Sequence, residues 1–240
     1  MHTYFRYGYE ELNDIKRRPL LKLKHIKQRH TILFILLCVV LFAGMQMFFL
    51  SSSKGKSKAD KQENWSKVLP AHALLHSGDL IFRHGNGFIS DAFRAFSVRD
   101  KKYSHAGIIS IEANQVYVYH AIGGEENVSN KLKKNTLKEF CSSENAKSFG
   151  IYRYALSEAE KNQLGELVQG YYQKGLEFDL SFDLQSDDKM YCSEFIYKIL
   201  TKVKSNKNFL PLSEVNGLKY VAIDDLYLNS ACEPIYRFTY

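Results

Sequence analysis

Asp187-Asp188-Lys189-Met190-Tyr191-Cys192-Ser193-Glu194-Phe195-Ile196-Tyr197-Lys198-Ile199-Leu200 sets two acidic residues ahead of a run with helical apolar spacing: Met190, Phe195, Ile196, Ile199, Leu200 and then Val203. The spacing predicts a helix with Asp187 or Asp188 as its N-cap, since acidic residues favour a helix start. Cys192 then falls in the first turn. Backbone N–H groups and the helix dipole there favour a thiolate, so the cysteine pKa can fall. A thiol nucleophile also needs a base. The candidates lie upstream, in Tyr103-Ser104-His105-Ala106-Gly107-Ile108-Ile109 and Val116-Tyr117-Val118-Tyr119-His120-Ala121. The competing reading makes Cys192 a small buried hydrophobe, the usual fate of a free cysteine.

The 240 residues suffice for one ordinary domain and an additional segment. Residues 31–50, TILFILLCVVLFAGMQMFFL, carry no charge. About twenty such residues match the roughly 30 Å hydrocarbon core of a bilayer. The run is too long, and starts too late, for the apolar part of a cleaved signal peptide. It is expected to be a single transmembrane helix that anchors the chain. Seven Lys/Arg in residues 16–30 face four lysines in residues 54–61. That bias places the N-terminus in the cytoplasm and the C-terminal domain outside it, periplasmic or extracellular. The expected organisation is a basic tail (1–30), the anchor (31–50), a polar tether (51–69) and a C-terminal domain (70–240).

The net charge of +7 is not spread evenly. Residues 1–69 hold 13 Lys/Arg against 5 Asp/Glu, and residues 70–240 hold 20 against 21. The basicity therefore flanks the apolar run, where it meets anionic headgroups. The domain has no electrostatic footprint for nucleic acid. Cys38, Cys141, Cys192 and Cys232 show no C-x-x-C spacing. Outside the cytoplasm Cys141 and Cys232 could pair, leaving Cys192 free. His72 and His76 have a spacing that on a helix could serve a metal, but no Glu follows the first and no third ligand is evident. A surface turn is favoured there, and no metal or other cofactor is expected.

Along the domain, 77–83 reads as a turn and first strand, and 86–99 as a helix with its apolar stripe at Phe88, Ile89, Ala92, Phe93 and Phe96. Residues 105–111 and 115–121 read as a hairpin that brings His105, at the start of one strand, near His120, close to the end of the next. Thr136 and Glu139, then Ser157 and Glu160, mark two helix starts, and Gly175 ends the second helix. Strands are expected at 149–155 and 234–238, and a short helix at 224–228.

GDLIFR (78–83), YSHAGIIS (103–110), VYVYHA (116–121), TLKEF (136–140), YCSEFIYKIL (191–200) and DDLYLN (224–229) together resemble the permuted papain-like hydrolases of the YiiX/YebB type, similar to NlpC/P60 amidases and lecithin:retinol acyltransferases. In ordinary NlpC/P60 enzymes the cysteine precedes the histidine; here His105 precedes Cys192, as in the permuted branch. The resemblance implies an α+β domain, an antiparallel sheet with packed helices, over about residues 75–240. It makes Cys192 the nucleophile, His105 the base and His120 the group that orients it. The permuted bacterial branch commonly has a carboxylate at the third position, the acyltransferase branch a His. Tyr191 and Asp79 are expected near the site. The implied activity is thiol hydrolysis of an amide, ester or thioester in a cell-envelope peptide, lipid or lipid-linked substrate. A lipid acyltransferase with the same site and a non-catalytic envelope-binding module are the rivals.

Overall fold

Runs rich in Val, Ile, Tyr and Phe between turn residues build the longer strands, and the described strands pair in the antiparallel sense. A computed structural model describes Ser66, Val68, residues 70–124 and residues 127–240. The basic tail, the 31–50 run and nearly all of the tether lie outside the described residues. Among the described residues no helix is long and apolar enough to cross a membrane.

The elements are β1 (Leu80–Gly85), α1 (Phe88–Ala95), β2 (His105–Glu112), β3 (Gln115–His120), β4 (Lys133–Thr136), α2 (Leu137–Cys141), β5 (Ala146–Tyr154), α3 (Glu158–Lys174), α4 (Cys192–Val203), β6 (Ser213–Val215), β7 (Leu218–Tyr220), α5 (Ile223–Tyr227) and β8 (Cys232–Thr239). Six strands form one sheet in the order β4-β3-β2-β1-β5-β8, and β6 and β7 form a separate hairpin. This matches the expected antiparallel α+β domain.

The two faces of the sheet bury different partners. On one, Leu80, Phe82, Ala106, Ile108 and Tyr119 pack with the apolar sides of α3, α4 and α5. On the other, Ile81, Ile109, Val118, Phe149 and Ile151 pack with Leu137, Phe140 and Cys141 of α2 and with Val68, Ala71 and Leu75. Burial of this apolar area is the main driving force for the fold.

Both expected capping boxes form, Thr136 with Glu139 and Ser157 with Glu160, and Gly175 closes α3 in the left-handed region at φ 68°. One expectation requires correction. The N-cap of α4 is Tyr191 rather than Asp187 or Asp188. Glu194 accepts the Tyr191 N–H at 3.2 Å, and Asp187 instead pairs with Lys198 at 2.7 Å, so the helix starts later. Cys141 and Cys232 are both free. The Tyr240 hydroxyl donates to the Cys141 carbonyl beyond one end of β8, and Cys232 begins the other end. Eight strand residues span about 26 Å, far beyond the roughly 7 Å a disulfide tolerates between Cα atoms.

The 224–229 segment has a clear structural task. The carboxylate of Asp224, fully buried, accepts the N–H groups of Val98, Arg99 and Asp100 at 3.3, 2.6 and 3.0 Å. It thereby fixes the segment that leads from α1 to β2.

Candidate active site

Cys192 is the first residue of α4, and α4 lies against β2 through Ala106 and Ile108. The backbone N–H groups of Ala106, Ser193 and Cys192 itself lie close enough to its sulfur to favour the thiolate. Two of these are donors that every helix start leaves without an intrahelical partner. The third belongs to the residue that follows His105. Cys192 retains partial exposure, whereas His105 and His120 are buried.

The hairpin delivers the two histidines as expected. His105 Nε2 and His120 Nδ1 are 2.8 Å apart, their rings nearly perpendicular. Phe140 packs against both, with centroids at 5.8 and 5.2 Å. Gly107 makes room for the pair. A Cβ there would lie 2.6 Å from Val118 Cγ1 and 3.3 Å from His120 Cβ.

The chain of contacts continues beyond the residues that the sequence singled out. His120 Nε2 lies 2.8 Å from Asn135 Oδ1, and Asn135 Nδ2 donates to Glu139 at 3.2 Å. Glu139 also accepts the Thr136 N–H, which with the Asn135 contact holds its carboxyl below the usual range and hence ionised. A carboxylate only accepts, so it assigns the amide orientation of Asn135 and, from that, the tautomers. Asn135 Oδ1 takes the His120 Nε2 proton, His120 Nδ1 takes the His105 Nε2 proton, and His105 keeps an unprotonated Nδ1. Asn135 escaped the sequence reading because it presented itself only as the residue ahead of a helix cap. A polar residue on the strand beside the histidine hairpin was its one available signal.

Electrostatics give a neutral resting site. Burial, reinforced by the neighbouring His120 and the Arg83 guanidinium, holds the His105 imidazolium well below its ordinary range. Burial and Arg83 bring His120 down to about 3. Burial pushes the Cys192 thiol up to about 11, outweighing the three N–H groups that favour the thiolate. This corrects the expected lowering: desolvation exceeds the help from the helix start. No hydrogen bond joins the thiol to the His105 ring in this state, so the structure unites His105 with His120 and sets Cys192 at the adjoining amide.

The flanking expectations divide. Tyr191 does neighbour the site, but its hydroxyl accepts the Val221 N–H at 2.9 Å and its ring packs on Phe182. It is a packed core tyrosine. Asp79 lies before the opposite end of β1 from Arg83, the residue paired with His105, and binds Arg153 at 2.6 and 2.8 Å. It is a structural ion pair away from the site. His72 and His76 are exposed, and His76 lies in the turn leading into β1 rather than on a helix with His72.

Residues 74–214 match the model of the permuted papain-like amidase enzymes, the YaeF/YiiX C92 family. The chain belongs to that family. The uncharacterized protein YiiX of Escherichia coli (strain K12) is 28% identical over 134 residues, which cover 55% of this chain and 60% of that protein. The chain thus spans about 60% of the length of this curated relative. The crystal structure of metalloprotein yiiX from Escherichia coli O157:H7 shares the fold, with TM-score 0.57 and 18% identity over 69% of this chain and 98% of the other. That relative is named a metalloprotein. Here the described residues contain no group of three or more His, Cys, Asp or Glu side chains arranged for a metal ion, and the two site imidazoles turn facing nitrogens on each other. These residues do not fit a metal centre.

Proposed function

We propose that this protein is a thiol hydrolase, anchored to a membrane through residues 31–50, that opens an amide, ester or thioester through a Cys192 acyl-enzyme. One observation carries the reading. Cys192 opens a helix against the amide that follows His105, and His105 is held by His120 and Asn135 in the tautomer with Nδ1 unprotonated. In this reading the substrate draws thiol and ring together. Sγ attacks the carbonyl carbon while its proton passes to His105 Nδ1, so no resting ion pair is required. The N–H groups of Ser193 and Cys192 receive the developing oxyanion. His105 then gives its proton to the leaving amine, alcohol or thiol, and water releases the acyl group by the reverse steps. The basic bias of residues 16–30 supports an extracytoplasmic domain and hence an envelope peptide or lipid-linked substrate.

Mass spectrometry after brief exposure to activated thioester and ester substrates tests this. The expected adduct sits on Cys192, is absent from Cys192→Ala, and forms about a hundredfold or more slowly in His105→Ala, the usual contribution of a positioned base. Full turnover by Cys192→Ala on a genuine substrate would refute the mechanism. No adduct and no turnover in the parent chain would leave the non-catalytic binding module standing. Transfer of the acyl group to added lipid alcohols rather than water would identify the acyltransferase rival.

A further inference from the structure

Helix α1 is inside out. Its polar residues grip the body of the domain. Ser90 is buried and donates to the Gly85 carbonyl at 2.9 Å, Asp91 holds His84 at 2.9 Å, and Arg94 donates to the Lys101 carbonyl at 2.6 Å. The apolar stripe that the sequence reading placed on this helix faces solvent instead, with Phe88 83%, Ile89 67% and Phe96 57% exposed. Two other segments extend the apolar surface. Leu180 is 70% exposed on the loop before α4, and Phe182 of that loop packs on Phe93 and Phe96 at centroid distances of 6.2 and 6.3 Å. On the β6–β7 hairpin Leu218 is 57% exposed, and the Tyr220 hydroxyl ties the hairpin to the Phe96 carbonyl at 3.0 Å. The patch is continuous with the site, because Phe182 packs at 5.0 Å on Tyr191, the residue before Cys192.

Such side chains protrude rather than line a groove, which suits insertion among headgroups and acyl chains. The chain itself says which surface is at hand. Fifteen residues, 51–65, separate the uncharged 31–50 run from Ser66, and Val68 already packs in the core. A covalent chain of that length spans at most about 50 Å, which limits how far the domain can stand from a membrane that holds the run. Exposed Lys101 and Lys219 adjoin the patch in sequence and complement anionic headgroups.

We infer that α1, the 180–182 loop and the β6–β7 hairpin form a bilayer-docking surface that brings the Cys192 site to the membrane face. This docking does not depend on Cys192 being a nucleophile.

The test uses the full chain in vesicles of anionic phospholipid brominated along the acyl chains. Trp65, the single tryptophan, is replaced by Phe, and one reporter is introduced at a time. Ile89→Trp reports on the patch. Ile111→Trp, at the far end of β2 from His105, is the reference. The expected result is loss of most emission at position 89 with position 111 unaffected, reversed when Phe88 and Phe96 are changed to Ser. The same pattern must persist with Cys192→Ala, so failure of the catalytic reading and failure of docking are seen separately. An unquenched tryptophan at position 89, or equal quenching at both positions, overturns the inference and would hand the patch to a protein partner or to nonspecific adsorption.

Discussion

At the scale of single residues, the site depends on which nitrogen holds which proton. Asn135 settles that for His120, and His120 for His105. Asn135→Leu removes the acceptor for His120 Nε2–H and frees the wrong tautomer. Steady-state kinetics should show kcat falling about tenfold or more with KM little changed, because orientation of the base contributes to the transition state rather than to binding. The thiol makes a second prediction. With Cys192 pushed up to about 11 by burial, alkylation by iodoacetamide should climb with pH through 9 and beyond, without a plateau at neutral pH. A plateau below pH 7 that disappears in His105→Ala would show instead that the pair ionises at rest. The two histidines were legible as a pair because the hairpin has a two-residue period and a short turn. Asn135 was not, since a neighbour across strands has no fixed spacing in sequence.

Elements meet at two points that a single substitution can test. Strand β2 passes β3 so closely at Gly107 that a methyl group would collide with Val118 and crowd His120. Gly107→Ala should destabilise the domain by about 1–3 kcal/mol in urea unfolding, the range for overpacking, and also disturb the histidine pair. Helix α5 meets the α1–β2 connection through Asp224, a buried carboxylate with three backbone donors. Asp224→Ala leaves those donors unsatisfied, and the loss should approach roughly 3 kcal/mol. Hydrogen exchange should then show amides 98–100 opening before the sheet does. Five strands, β1, β2, β3, β5 and β8, and the capped helices were readable from turn residues, capping boxes and apolar periodicity, whereas β4, β6 and β7, only four, three and three residues long, were not. The outward face of α1 was not. Periodicity shows that a helix has an apolar side, but the polar contacts of Ser90, Asp91 and Arg94 decide which way that side points.

For the molecule as a whole, two buried neutral histidines make stability depend on pH. Unfolded histidine titrates near 6.5, whereas folded His120 titrates near 3 and His105 well below its ordinary range. Above pH 6.5 both states are neutral and nothing is gained or lost. Below it the unfolded chain binds protons that the folded chain refuses. Stability therefore falls by about 1.4 kcal/mol per pH unit for each such group as the pH drops toward 3. Buried Glu194, raised to about 7, works in the opposite direction between its folded and unfolded values. A difference measurement isolates the histidine contribution. Urea denaturation at pH 7, 6 and 5 should show a shallower acid loss for His120→Gln than for the parent chain. An identical pH dependence would mean that His120 is protonated in the fold.

By itself the sequence determined the main strands and helices, the antiparallel hairpin that pairs His105 with His120, and the helix that carries Cys192 in its first turn, because each follows from spacing between neighbours along the chain. The tertiary structure alone decided the protonation order through Asn135, the raised thiol pKa, the separation of Cys141 from Cys232 and the exposure of the α1 stripe. Each of these depends on groups far apart in sequence, and on whether water or protein surrounds them after folding.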